Sequence, residues 1–138
     1  MKKYLFPKRV LQNGQAAEYP NLLKKKELQI GLAETDTVEF EDGDHAIFDF
    51  GAELCGGVRI LTYMGANVPV RIRFGESLTE CCAEIGGEMN ATNDHSLRDM
   101  TVMLQRYSDM TFGQTGFRFV RLDFMGKVEL KCVVAERH

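Results

Sequence analysis

No stretch of the 138 residues approaches the run of roughly 20 apolar side chains that crosses a bilayer, which excludes a membrane span. The N-terminal Met1-Lys2-Lys3-Tyr4-Leu5-Phe6-Pro7-Lys8-Arg9 is basic but lacks the apolar stretch of about seven residues that a secretory signal needs, so a cytoplasmic location is expected. Proline occurs only three times, and 27% charged with 44% hydrophobic residues excludes disordered and fibrous classes. Neither sign of charge dominates. Seventeen Lys and Arg stand against 20 Asp and Glu, and the basic residues are scattered, which argues against nucleic acid as a partner. Lys24-Lys25-Lys26 is the one basic cluster and reads as a solvated turn. Cys55, Cys81, Cys82 and Cys132 have neither C-x-x-C spacing nor a His at zinc-finger distance. No metal site, redox motif or cofactor is therefore expected, only reduced and partly buried thiols. A phosphate loop is missing too, because no helix follows Gly56-Gly57.

What the sequence does contain is a period of two. A chain of this length fits one domain and buries roughly 70% of the surface its unfolded form exposes. Residues 1–27 include Pro7, Gly14 and Pro20 and have no clear periodicity, so they are read as an irregular arm packed on a domain spanning 28–138. From there apolar residues alternate with polar or small ones. Candidate strands are Leu28–Leu32, Val38–Phe40, His45–Phe50, Gly57–Met64, Val68–Phe74, Arg98–Arg106, Phe117–Phe124 and Val128–Val134. Val68, Val70, Ile72 and Phe74 should face a core while Arg71 and Arg73 face water. Val128, Leu130, Cys132 and Val134 form the inward set of the last strand. Turns are expected at Glu41-Asp42-Gly43-Asp44 and at Gly65-Ala66-Asn67. Ser77-Leu78-Thr79-Glu80 has the spacing of a capping box, which predicts a short helix running through Ile85 to a stop at Gly86-Gly87. About seven to nine strands with one short helix make an all-β fold, an antiparallel β-sandwich.

Candidate chemistry is sparse. Glu76, Glu80, Glu84 and Glu88 recur every four residues, and like charges at that spacing repel on a helix. They read as a solvated acidic edge, with a metal or catalytic cluster as the sharper alternative. The most polar loop is Asn90-Ala91-Thr92-Asn93-Asp94-His95-Ser96, followed by Arg98 and Asp99. Asn93, Asp94, His95 and Arg98 are the residue types that a sugar-binding or interdomain contact uses. They are equally those of an ordinary turn, where Asn and Asp satisfy irregular backbone. His138 is terminal and His45 starts a strand, and no nucleophile triad emerges from these spacings.

Four segments, in order, resemble a known family. Ile47-Phe48-Asp49-Phe50-Gly51-Ala52-Glu53-Leu54-Cys55-Gly56-Gly57-Val58-Arg59-Ile60 looks like a segment of α-L-rhamnosidase-like glycoside hydrolases. So do Val70-Arg71-Ile72-Arg73-Phe74-Gly75-Glu76-Ser77, Asn93-Asp94-His95-Ser96-Leu97-Arg98-Asp99 and Thr115-Gly116-Phe117-Arg118-Phe119-Val120. The resemblance is to the non-catalytic N-terminal part. It implies a jelly-roll-like sandwich standing before a helical (α/α) barrel, where the family places its acid and base carboxylates. The chain ends at His138 without that barrel, so no catalytic residue carries over. The partner it implies is the missing C-terminal catalytic domain of the same polypeptide, with rhamnose-containing glycans as a second candidate.

Two readings follow: an accessory domain that packs on a glycoside hydrolase barrel, or an independent carbohydrate-binding module. Sugar-binding modules stack pyranose rings on exposed aromatics, Trp above all, and this sequence has no Trp. A module of that kind would have to use Tyr63, Tyr107 or Phe112.

Overall fold

The computed structural model of the chain describes residues 3–17, 19–31, 34–65, 67–82 and 98–138. Among them are nine strands and two short helices: β1 (Lys3–Leu5), β2 (Arg9–Gln12), β3 (Gln15–Ala17), α1 (Pro20–Leu23), β4 (Val38–Phe40), β5 (His45–Gly65), β6 (Val68–Gly75), α2 (Leu78–Cys82), β7 (Asp99–Leu104), β8 (Asp109–Phe124) and β9 (Val128–Arg137). Every pairing is antiparallel. The main path runs β1-β9-β5-β8-β6-β7, with β2 on β5, β3 on β2 and β4 on β9. The fold is the expected all-β sandwich.

The two layers are joined because β5 and β8 each run through both. Residues 45–49 of β5 lie between β2 and residues 119–123 of β8; past Leu54 the same strand lies between residues 109–117 of β8 and β9. Register shifts between Asp49 and Leu54 and between Gly56 and Val58 mark the change of layer, as bulges do where a strand must bend. What reads in the sequence as two strands, His45–Phe50 and Gly57–Met64, is one bent strand. Side chains from both layers share one core that includes Phe48, Val58, Ile60, Val70, Ile72, Leu122 and Val133. Phe40 stacks on Phe124 at 4.5 Å, and Phe117 meets Phe74 edge-on at 5.0 Å.

Two outer faces are covered as well. Ile47, Phe119 and Cys81 form a satellite cluster under α2, with Leu11 and Leu78 against it. On the opposite side Leu61, Cys132 and Val134 lie under Phe6, Leu28 and Ile30. This corrects three expectations. Residues 28–31 form no strand: their alternation reflects burial over β5 and β9, and their carbonyls are taken by side chains, Gln29 O by Lys131 Nζ and Leu28 O by Arg59 Nη2. Arg73 does not face water but is 4% exposed and paired with Asp123 at 2.7 Å. The inward set of β9 changes phase, because a register shift falls where Leu61 faces Cys132 while Thr62 faces Leu130. Val128 and Leu130 therefore join the main core with Val133 and Ala135, while Cys132 and Val134 turn outward.

The N-terminal segment also differs from the expected irregular arm. Its strands complete ladders with β9 and β5, and Pro20 opens the one-turn helix α1, where a missing N–H costs nothing. Ser77 caps α2 as predicted, its Oγ accepting from the Glu80 amide at 3.2 Å. The expected continuation to Ile85 and Gly86-Gly87 lies outside the described residues. The acidic turn forms as read, with the Asp44 amide donating to Glu41 O at 3.0 Å and Gly43 at φ +93°.

Backbones approach closely at the layer change. A Cβ on Gly57 would stand 2.5 Å from Gly113 O and 2.6 Å from Phe112 O, whereas one on Gly116 meets nothing nearer than 3.8 Å. Gly57→Ala should therefore lower stability by about 2–4 kcal/mol and Gly116→Ala by less than about 1 kcal/mol. Urea unfolding midpoints of the two variants check this.

Candidate functional site

The ladders bring distinct groups to the two ends of the sandwich. At one end meet the end of β6 (Gly75 opposite Phe119), the layer change of β5 and β8 (Leu54 opposite Phe117) and the end of β9 (Arg137 opposite Gly56). The described parts of the family-like segments converge here, the third of them represented by Arg98 and Asp99 alone. Asp49, only 5% exposed, accepts from Arg9 Nε at 2.7 Å, Arg118 Nε at 2.9 Å and the Gly51 amide at 2.8 Å. Burial opposes its ionisation, but these hydrogen bonds outweigh it and hold the carboxyl down at about 2. Gly51 takes φ +88°, which lets its amide turn back onto Asp49. The Asp-Phe-Gly and Gly-Phe-Arg segments are thus one device: Asp49 and Arg118 clamp the bent strands while Phe50 and Phe117 fill the core beside them.

Arg98, at the start of β7, pairs with Glu80 Oε1 at 2.7 Å and donates to Gly116 O at 3.0 Å. Glu80, which the capping-box reading would turn back onto the helix start, serves Arg98 instead. Of the other candidate contacts, Asn93, Asp94 and His95 lie outside the described residues, as do Glu84 and Glu88. Glu53 shares a hydrogen bond with Glu76, and that bond together with the Glu76 charge holds Glu53 above the usual carboxylate range. Two carboxyls that bond each other differ from the acids flanking a glycosidic bond, which stand roughly 5–9.5 Å apart. Among the described residues no group of three or more His, Cys, Asp or Glu is placed to hold a metal ion. Burial pushes the Cys132 thiol up to about 11, away from nucleophile chemistry. None of the described helices is long and apolar enough to cross a membrane.

The other end holds a cleft of about 470 Å³. Gly65 pairs with Val128, the Met125 amide donates to Pro69 O at 3.0 Å, and the Gly43 amide donates to Phe124 O at 2.9 Å, so the β5–β6 and β8–β9 turns stand side by side. Val68 and Val128 are buried beneath, and Met64 and Met125, 42% and 47% exposed, form the walls. Glu39, Asn67, Lys127 and Glu129 complete the lining. Glu129 accepts from Thr37 Oγ1, and Glu39 lies 3.6 Å from Lys127. Beside it, Tyr107 donates from its hydroxyl to Met64 Sδ and packs edge-on against Tyr63 at 5.5 Å. Phe112, the third aromatic candidate, packs on the core. The cleft escapes a reading by residue type because it is built from methionines and turns. A signal is nonetheless present: Met64-Gly65-Ala66-Asn67-Val68 and Met125-Gly126-Lys127-Val128 repeat Met-Gly before a buried Val.

No family model matches the sequence, and no curated protein matches it either. Solved structures do match in fold. A rhamnosidase from Klebsiella oxytoca, solved with rhamnose bound, superposes with a TM-score of 0.62 at 18% identity over 72% of this chain and 22% of its own. The CBM32 module of AlyQ, solved with 4,5-unsaturated mannuronic acid, gives 0.58 at 13% identity over 96% of this chain and 97% of its own. A fucose-binding module of Streptococcus pneumoniae gives 0.53 at 10% identity over 97% and 94%. The chain thus spans about a fifth of the rhamnosidase and nearly all of either binding module. It has the β-sandwich fold that occurs in both.

Because Asp49 is held below its unfolded value near 3.9, its contribution is present above about pH 4 and is lost as pH falls toward 2. Its arginine partners are 54% and 40% exposed, so screening limits the effect to about 1–2 kcal/mol. Asp49→Asn should be less stable at neutral pH and lose correspondingly less stability between pH 5 and 2. Urea midpoints across that range for both proteins give the comparison.

Proposed function

We propose that the chain is a non-catalytic accessory domain of an α-L-rhamnosidase-like glycoside hydrolase, packing on a helical-barrel catalytic domain of the same polypeptide. The observation that carries this is the superposition on a rhamnosidase of which the sandwich is only about a fifth, 22% of that chain. The ordered segments that resemble the family support it, and their residues hold the fold: Asp49 with Arg118, and Arg98 with Gly116 O. Among the described residues, the acids gathered at that end are paired with arginines or with each other, which supports a non-catalytic role. In this reading the segment with Asn93, Asp94, His95 and Arg98 faces the barrel.

A second reading, an independent carbohydrate-binding module, is favoured by a different observation. The cleft at the opposite end joins apolar walls to convergent polar groups, the composition of a small-molecule site, and two sugar-binding modules match along almost their whole length, 97% and 94%. The two roles are compatible, since one end can dock while the other binds.

The purified chain should leave an aryl α-L-rhamnoside intact. Release of the aryl group, abolished by replacing a single Glu or Asp, would contradict the non-catalytic assignment. The reading frame that encodes the chain should continue past His138 into a long helical region.

A further inference from the structure

The groups around the cleft narrow what it can take. We propose that it binds the ring of an uncharged sugar, with an apolar edge of the ring on Met64 and Met125, and that it discriminates against uronic acids. This rests on the carbohydrate-binding reading above.

Four observations support the proposal. First, Met64 and Met125 leave roughly half of their surface to water at facing turns, over Val68 and Val128, which are 3% and 2% exposed. Thioether side chains are soft and adaptable, and suit C–H edges and methyl groups where a flat aromatic platform is missing. Second, the rim offers an amide (Asn67), an ammonium (Lys127) and carboxylates (Glu39, Glu129), which together donate to and accept from hydroxyls. The 3.6 Å between Lys127 and Glu39 is too long for a hydrogen bond, so both keep capacity for a ligand. Third, two carboxylates face one ammonium. A uronate would bring a third carboxylate into that field, whereas a neutral sugar meets no such repulsion. Fourth, the wall is held in place at a conformational cost. Tyr107 sits at φ +52°, in the left-handed region, donates its amide to Tyr63 O at 2.9 Å and rests its hydroxyl on Met64. Strain of this kind gathers at ligand sites. The volume of about 470 Å³ lies within the range of small-molecule sites.

The test is isothermal titration of the full chain with L-rhamnose, L-fucose and D-galactose against D-galacturonate and D-mannuronate, in wild type, Met64→Ala/Met125→Ala, Asn67→Ala and Glu39→Gln. At least one neutral sugar should bind saturably, with the uronates about tenfold weaker or worse. The double methionine variant should weaken the neutral sugar about tenfold, and Asn67→Ala, on an exposed turn, at least about threefold. Glu39→Gln should narrow the gap between neutral and acidic sugars. Neutral-sugar binding that survives both the methionine and the Asn67 changes would move the site elsewhere and overturn the cleft assignment while leaving the carbohydrate-binding reading intact. Uronates binding as tightly as the neutral sugars would overturn the charge argument. Heats equal to dilution for all five sugars would remove the carbohydrate-binding reading and the cleft together.

Discussion

Asp49 stands where the two longest strands change layers, and its carboxylate ties together three pieces of chain that are far apart in sequence. It receives Arg9 from β2, Arg118 from β8 and the amide of Gly51 two residues on. A strand that bends out of one layer into another leaves backbone groups without their ladder partners at the bend. A buried carboxylate with several acceptor positions can satisfy an amide and two guanidinium groups at once. With the bend fixed, the register of β5 against β9 and of β8 against β6 follows, and the phenylalanines on either side close over one core. The glycines near the bend answer the same constraint, because Gly57 lets a neighbouring backbone approach where a methyl group would collide.

The layer change also explains why the sequence resembles larger enzymes in four ordered pieces while carrying no catalytic pair of its own among the described residues. Asp-Phe-Gly, Gly-Glu, Arg98 and Gly-Phe-Arg meet at one end, where Asp49 holds Arg118, Arg98 holds Gly116 O and Glu53 holds Glu76. The fold itself is shared by proteins of different activity, since superposition reaches both a rhamnosidase and sugar-binding modules at 10–18% identity.

Much of the architecture was legible because its cause is local. Alternation in Val68–Phe74 locates β6, Ser77 announces α2, and Glu41-Asp42-Gly43-Asp44 forms its turn. The failures have non-local causes. Leu28 and Ile30 alternate like a strand, yet they cover an outer face, and only the fold shows that Lys131 and Arg59 take the carbonyls a partner strand would use. Cys132 and Val134 changed sides because of a register shift against β5. Arg73 reads as wet because nothing in its own strand says that the face beyond it is covered. The polar loop stands out by residue type, whereas the cleft does not, since its walls are two methionines at turns that are 61 positions apart in the chain.

The clamp at Asp49 and the proposed sugar-binding cleft lie at opposite ends of the sandwich. Amide chemical-shift mapping during titration with a bound neutral sugar tests that separation most directly. Shifts should gather at Gly65, Asn67, Gly126 and Lys127, with Gly51, Arg98 and Gly116 unmoved. Shifts gathered instead around Glu53, Glu76 and Arg98 would contradict it.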